Sequence, residues 1–154
     1  MKTLEHTLGA HPFIEGMASD YVNILAENAC VVRFEPGEPI FREGGDADRF
    51  YLIQHGKVAL EIFHLEHGSI VLQTIGEGEA LGWSWLVPPY KWRFDARAVD
   101  TTTAIMLDGK RLREECEHGK SLGYELLQRF AQVLEQRLQA TRMQLLDLYS
   151  THVV

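Results

Sequence analysis

The sequence predicts a mainly β domain with helices at both ends, and three observations predict it. Between residues 30 and 108, short runs rich in β-branched and aromatic residues alternate with Gly, Pro and Asp turns about every 8 to 12 residues. On either side, apolar residues recur at spacings near 3.6, the period of a helix packed on one face. The chain of 154 residues, 45% apolar and 24% charged, holds enough core for one folded domain. The division is therefore 1–29 as an N-terminal helical segment, 30–108 as the β unit and 109–154 as C-terminal helices.

In the first segment, Phe13, Ile14, Met17, Tyr21, Val22, Ile24 and Leu25 suit one helical face over about residues 10–29. Ser19 or Asp20 is placed to cap its second half. Strands follow. Val31–Phe34 precedes Pro36-Gly37, and Pro39-Ile40-Phe41 precedes Gly44-Gly45-Asp46. Phe50–Ile53 precedes His55-Gly56, Val58–Phe63 precedes His67-Gly68, and Ile70–Ile75 precedes Gly76-Glu77-Gly78. Phe94–Val99 and Thr101–Leu107 complete the set. Such a series makes a roll, barrel or sandwich.

Gly119 separates a short helix from a long one over about residues 121–149. Tyr124, Leu127, Ala131, Leu134, Leu138, Thr141, Leu145 and Leu148 alternate steps of three and four, a heptad seam. Leu126, Phe130, Val133 and Ala140 form a second stripe beside it. At 1.5 Å per residue this helix is about 40 Å long and overhangs a domain of this size. One stripe is assigned to the β unit and the seam to a second copy, so the sequence predicts a homodimer.

Composition excludes several classes. The net charge of −7 gives no general attraction to nucleic acid or an anionic bilayer, and no Lys/Arg run offsets it. Neither partner is expected. Cys30 and Cys116 lack metal-ligand spacing and read as reduced thiols of a cytoplasmic protein, with Cys30 assigned to the core. The first ten residues carry no signal-peptide stretch. GxSxG, HExxH, CxxC and GxxxxGK[ST] are all missing. His64 and His67 lack a companion ligand, and Asp46-Ala-Asp48 reads as a polar turn. No metal, no catalytic residue and no enzymatic activity are expected.

The unusual stretch is Gly82–Val99, which holds all three Trp of the chain, at 83, 85 and 92. Lys91 and Arg93 are interleaved with them, and Pro88-Pro89 breaks any helix begun at Trp83. Aromatic faces with a few aimed polar groups are the makings of a small-molecule pocket; a satellite aromatic core under a loop is the other reading.

The run from Phe34 through Glu-Pro-Gly-Glu-Pro-Ile-Phe-Arg-Glu-Gly-Gly-Asp-Ala-Asp-Arg-Phe-Tyr-Leu-Ile-Gln-His-Gly to Leu60 resembles the opening of the cyclic-nucleotide-binding β-roll. That family includes bacterial catabolite-activator and oxygen-sensing regulators and the regulatory subunits of protein kinase A. Gly37, Gly44, Gly56, Gly78 and Gly82 match its turn glycines, which need positive φ or a close backbone approach. The resemblance implies a double-stranded β-helix, a jelly-roll-like β-roll, with short N-terminal helices and a long C-terminal dimer helix. Arg137–Thr141 is similar to part of that helix. The family grips its ligand with a cassette that opens on Gly-Glu and closes on an Arg followed by two small residues. The Glu holds the ribose, and the Arg with a short helix's N-terminus holds the phosphate. Here Gly82 matches the glycine but Trp83 stands at the Glu. Aligning Arg97-Ala98 with the basic-Ala pair places Trp92 at the Arg.

Two shifted registers stay open. One gives the anion to Arg93, and the other opens the cassette on Gly78-Glu79. The implied ligand-binding set is Gly82, Trp83, Ser84, Trp85, Trp92, Arg93, Phe94, Arg137 and Thr141. The ligand itself is left open, a cyclic nucleotide or another small anionic or aromatic molecule. The expected role is a sensor or regulatory domain that binds ordinary cyclic nucleotides poorly. The alternatives are a genuine cyclic AMP or cyclic GMP regulator, an interaction module for an unknown protein with a self-filled pocket, and a truncated transcriptional regulator. Because the chain stops shortly after the long helix, no DNA-reading helix is expected in it.

Overall fold

The computed structural model describes residues 3–152; the outermost residues of the two flanking segments lie outside that range. Eight strands form two four-stranded antiparallel sheets. One has the order β1 (Ala29–Phe34), β8 (Thr102–Asp108), β3 (Arg49–His55), β6 (Ala80–Leu81). The other has β2 (Pro39–Phe41), β7 (Asp95–Ala98), β4 (Lys57–His64), β5 (Gly68–Gly76). Consecutive strands mostly sit in different sheets, so the chain winds as a roll. Leu52, Ile53, Leu81, Ile105 and Leu107 of the first sheet share one buried cluster with Val58, Leu60, Ala96 and Phe94 of the other wall.

The five family glycines all have positive φ. At Gly56, between β3 and β4, φ is 108° and a Cβ would lie 2.5 Å from Thr102 Oγ1. Only glycine permits both the left-handed backbone and this contact.

Helices close both ends. α1 (Leu4–Gly9) is capped by Thr3, whose hydroxyl accepts from the His6 N–H at 3.2 Å. α2 (Ser19–Glu27) leads into β1. α3 (Gly109–His118) is capped by the Asp108 carboxylate, which accepts from the Arg111 N–H at 3.0 Å. α4 (Lys120–His152) is 33 residues long and extends the expected helix at both ends. Leu126 and Phe130 are fully buried against the roll and Val133 is half-buried.

Three expectations are corrected. The helical reading of residues 10–29 holds for α2 but not for residues 11–16, which form turns; α1 lies upstream, and the N-cap of α2 is Ala18, with no side-chain cap, rather than Ser19 or Asp20. The cause is His11. Its ring is buried, Nδ1 accepts from the Phe13 N–H at 3.1 Å, and Nε2 donates to the Ile53 carbonyl at 2.9 Å. This anchors the segment to β3 and bends it. Cys30 is exposed rather than core, because β1 is an edge strand and residue 30 faces outward there. Ala140 is exposed too, since α4 has passed the roll's deepest contact by that point.

Candidate ligand site

The loop from Gly82 to Phe94 leaves β6, makes a 3-10 turn at Ser84–Leu86 and returns as β7. Its two ends meet through Trp92. That indole is 5% exposed and stacks on Phe41, with ring centroids 3.8 Å apart and planes 8° apart. Its far edge lies against Gly82, where a Cβ would come within 2.9 Å of Cζ3 and Cη2. Gly82 has φ 93°, so a side chain is disfavoured there twice over. Phe94 joins the stack at 5.7 Å from Phe41.

The structure divides the expected ligand residues. Gly82, Trp92 and Phe94 come together around Phe41. Trp83 is half-buried at the start of the 3-10 turn, and Ser84 is buried behind it. Trp85 turns the other way. It is fully buried, stacked on Phe50 at 4.8 Å and edge-on to Phe130 at 6.1 Å, so it is core under α3 and α4. Arg93 is exposed, whereas its neighbour Trp92 is buried. Glu79 lies in the turn between β5 and β6, where its carboxylate accepts from the Gly76 N–H at 2.6 Å.

The loop is held rigidly from α3. Arg113 donates to the carbonyls of Ala47 (3.1 Å) and Trp85 (2.7 Å) and lies 4.1 Å over the Tyr90 ring. Tyr90 has φ 59°, uncommon for a non-glycine residue. It is fixed by the Ala47 N–H, which donates to its carbonyl at 2.8 Å. Lys91 pairs with Asp46, which explains the Asp46-Ala-Asp48 turn. Arg113, Phe41 and Asp46 were not among the expected site residues, because their roles depend on contacts across 28 to 66 positions that no local pattern records.

Arg137 and Thr141 occupy a different place. They lie on α4 where it crosses β5 and β6. The Gln73 amide donates to the Arg137 carbonyl at 3.0 Å and to Thr141 Oγ1 at 3.3 Å. The Gln144 amide donates to the Leu72 carbonyl at 3.0 Å. Arg137 Nη2 donates to the Ala80 carbonyl, while Nη1 is buried without a hydrogen-bond partner among the described residues. Burial holds this guanidinium below its usual pKa, and the Glu79 charge works the other way. A cavity of about 440 Å³ opens here between α4, the β5–β6 turn and residues 12–13. Gly82, Trp83, Ser84 and Trp92 are not part of its wall. Among the described residues no cluster of three metal-ligating side chains occurs, and no helix is long and apolar enough to cross a membrane.

A family model described as the cyclic nucleotide-binding domain matches residues 31–118, more than half of the chain. The chain belongs to the cyclic nucleotide-binding domain family. A cAMP-activated global transcriptional regulator of the CRP-like type from Mycobacterium tuberculosis is 25% identical over 150 residues, covering 97% of this chain and 65% of that protein. This chain thus spans just under two thirds of that relative's length. Among solved structures, a protein from Geobacter metallireducens described as cyclic nucleotide-binding superposes with a TM-score of 0.79 at 27% identity. The match covers 90% of this chain and 99% of that one. The catabolite activator protein of Thermus thermophilus gives a TM-score of 0.68 at 26% identity, covering 90% of this chain and 63% of its own. The family, the β-roll and the long C-terminal helix expected from the sequence all stand.

Proposed function

We propose that this chain is a non-enzymatic regulatory domain that works as a dimer through α4, and that its cassette does not hold ordinary cyclic nucleotides well. The observation that carries the reading is the Trp92 indole stacked on Phe41 and pressed against Gly82. In the family-derived alignment, that ring stands where the phosphate-binding Arg belongs, and Trp83 stands at the ribose-binding Glu. Hydrogen bonds to charged groups contribute roughly 1.5–3 kcal/mol each. Without both, affinity falls by about two to four decades. Indole stacking recovers part of this for a base, but it does not neutralise a phosphate. Arg93, the substitute in a shifted register, is exposed.

A fluorescence titration tests the reading, since Trp83 and Trp92 both report on the loop. Cyclic AMP and cyclic GMP should give no saturable change below about 100 μM. The rival, a genuine cyclic-nucleotide regulator, draws on the cAMP-activated relative and requires a saturable change at low micromolar ligand.

The dimer draws on the uncovered face of α4. Leu127, Leu134, Leu138 and Leu145 are 38–60% exposed in the single chain, on a face about a quarter turn round α4 from the buried Leu126 and Phe130. A heptad seam with this exposure is suited to a second copy of the same helix. The net charge of −7 gives no support to nucleic-acid binding by this part of the protein. A cytoplasmic setting fits its thiols.

A further inference from the structure

We propose that a small pocket on the outer face of the second sheet binds a free α-amino acid with an apolar side chain. Glu61 and Asp95 take its ammonium, and Arg42 and Arg97 take its carboxylate. The pocket shares no wall residue with the α4 cavity and makes no use of the cassette.

Strand alternation builds it. Leu60 on β4 and Ala96 on β7 belong to the core, so Glu61, Asp95 and Arg97 stand on the opposite face of the sheet. Glu61 and Asp95 are direct cross-strand partners. Two carboxylates so placed repel each other, and Glu61 is only 7% exposed. Arg97 answers one of them, donating through Nε to Glu61 Oε1 at 2.7 Å. Asp95 Oδ1 accepts from the Glu43 N–H at 2.7 Å, which ties the segment carrying Arg42 to the carboxylates. The register breaks on both flanks, between Pro39 and Phe41 against β7 and between Leu60 and Glu61 against β5. Bulges of this kind re-aim side chains.

Much of the bonding capacity of these four side chains is unspent. Among the described residues, Glu61 Oε2 and Asp95 Oδ2 accept no hydrogen bond, and the two terminal nitrogens of Arg97 donate none. Arg42 is exposed and makes neither an ion pair nor a side-chain hydrogen bond among them. Charged groups left short of partners on a largely buried site point to a partner that the chain itself does not supply. All four line one pocket of about 210 Å³. That is below the roughly 300–1,000 Å³ of drug-sized sites, so the occupant is smaller than a nucleotide.

The charges select its class. Two guanidiniums and two carboxylates sum to zero. A plain anion meets the carboxylates and a plain amine meets the guanidiniums, so each gains one attraction against one repulsion. A zwitterion satisfies both pairs, its carboxylate in a guanidinium fork and its ammonium donating to carboxylate oxygens. Beyond Glu61 the same face turns apolar. Val71 lies opposite Glu61 on β5 and Phe63 follows it on β4, 52% and 65% exposed. They give an aliphatic or aromatic side chain a surface to lie on. Ser69, opposite Phe63, adds a hydroxyl to the pocket wall.

The test is a ¹H–¹⁵N titration of the full chain at neutral pH with L-leucine. Two half-ligands run beside it: 4-methylpentanoate, which keeps only the carboxylate, and 3-methylbutylamine, which keeps only the ammonium. Leucine should shift the amide signals of Glu61, Ser69 and Asp95 and saturate, with a dissociation constant in the millimolar range or below. Each half-ligand should bind at least about tenfold more weakly. Arg42→Gln changes an exposed side chain with no bonds of its own, so the fold is kept, and it should weaken leucine about tenfold. No saturable shift up to about 50 mM leucine, an affinity unchanged in Arg42→Gln, or a half-ligand that binds as tightly as leucine overturns the site.

Discussion

Trp92 completes the core between Phe41 and Gly82, and in the proposed register it stands where the family has its phosphate-binding Arg. Because the ring is buried, Trp92→Ala should cost about 3–5 kcal/mol of stability. A urea titration checks this, and a loss under about 1 kcal/mol would mean the stack carries little packing energy. His11 is a second residue-scale device. Its ring is neutral in the folded chain, with one nitrogen donating and the other accepting, and burial lowers its pKa below the ordinary 6.5. The unfolded chain therefore takes up the proton first as pH falls below about 6.5. The stabilisation is present above that pH and is lost as pH falls through the folded value. Urea midpoints from about pH 8 to pH 5 should fall on the acid side, and His11→Gln should flatten that slope. That Trp92 belongs to an aromatic cluster was legible in the sequence; its partner Phe41 was not, because 51 residues separate them and only the roll brings them together. The burial of His11 was equally hidden, since its acceptor is a carbonyl on β3.

Turns and helix faces decide the elements. Gly56→Ala should prevent the β3–β4 hairpin from closing, because the new methyl would sit 2.5–2.6 Å from Thr102 Oγ1 and the Thr101 carbonyl at a positive φ. Soluble yield and the thermal midpoint measure this; a variant as stable as the parent would refute the close approach. Most strands in the middle of the chain were readable from turn spacing, and the long helix from its heptads; the short β6 and the order of strands in the sheets were not. Short N-terminal helices were legible, but residues 11–16 were misread because apolar spacing alone does not distinguish a helix from a turn that buries the same residues. What bends residues 11–16 is a side-chain bond to a distant strand. On α4, the seam is exposed as a whole, while the second stripe is buried at Leu126 and Phe130, half-buried at Val133 and exposed at Ala140. Leu138→Glu would bury an unpaired charge in the proposed interface, costing several kcal/mol. Light scattering at about tens of micromolar should then give a dimer for the parent and a monomer for the variant; a monomeric parent contradicts the dimer.

At the scale of the whole molecule, the aromatic loop and the α4 side of the roll are built differently. The cassette end is packed with the chain's own indole and clamped from α3 by Arg113. The α4 side keeps a polar cavity with a buried guanidinium. Family membership was visible in the glycine pattern and the run from Phe34 to Leu60. The α4 cavity was not, because its wall is assembled from the N-terminal turn, β5, the β5–β6 corner and α4. The most direct measurement is calorimetry with cyclic AMP on the parent and on the double variant Trp83→Glu, Trp92→Arg. The parent should show no binding tighter than about 100 μM, and restoring the carboxylate and the cation should tighten it by about two decades or more. A parent dissociation constant below about 10 μM, weakened by the double variant, would contradict the claim that Trp92 closes the cassette.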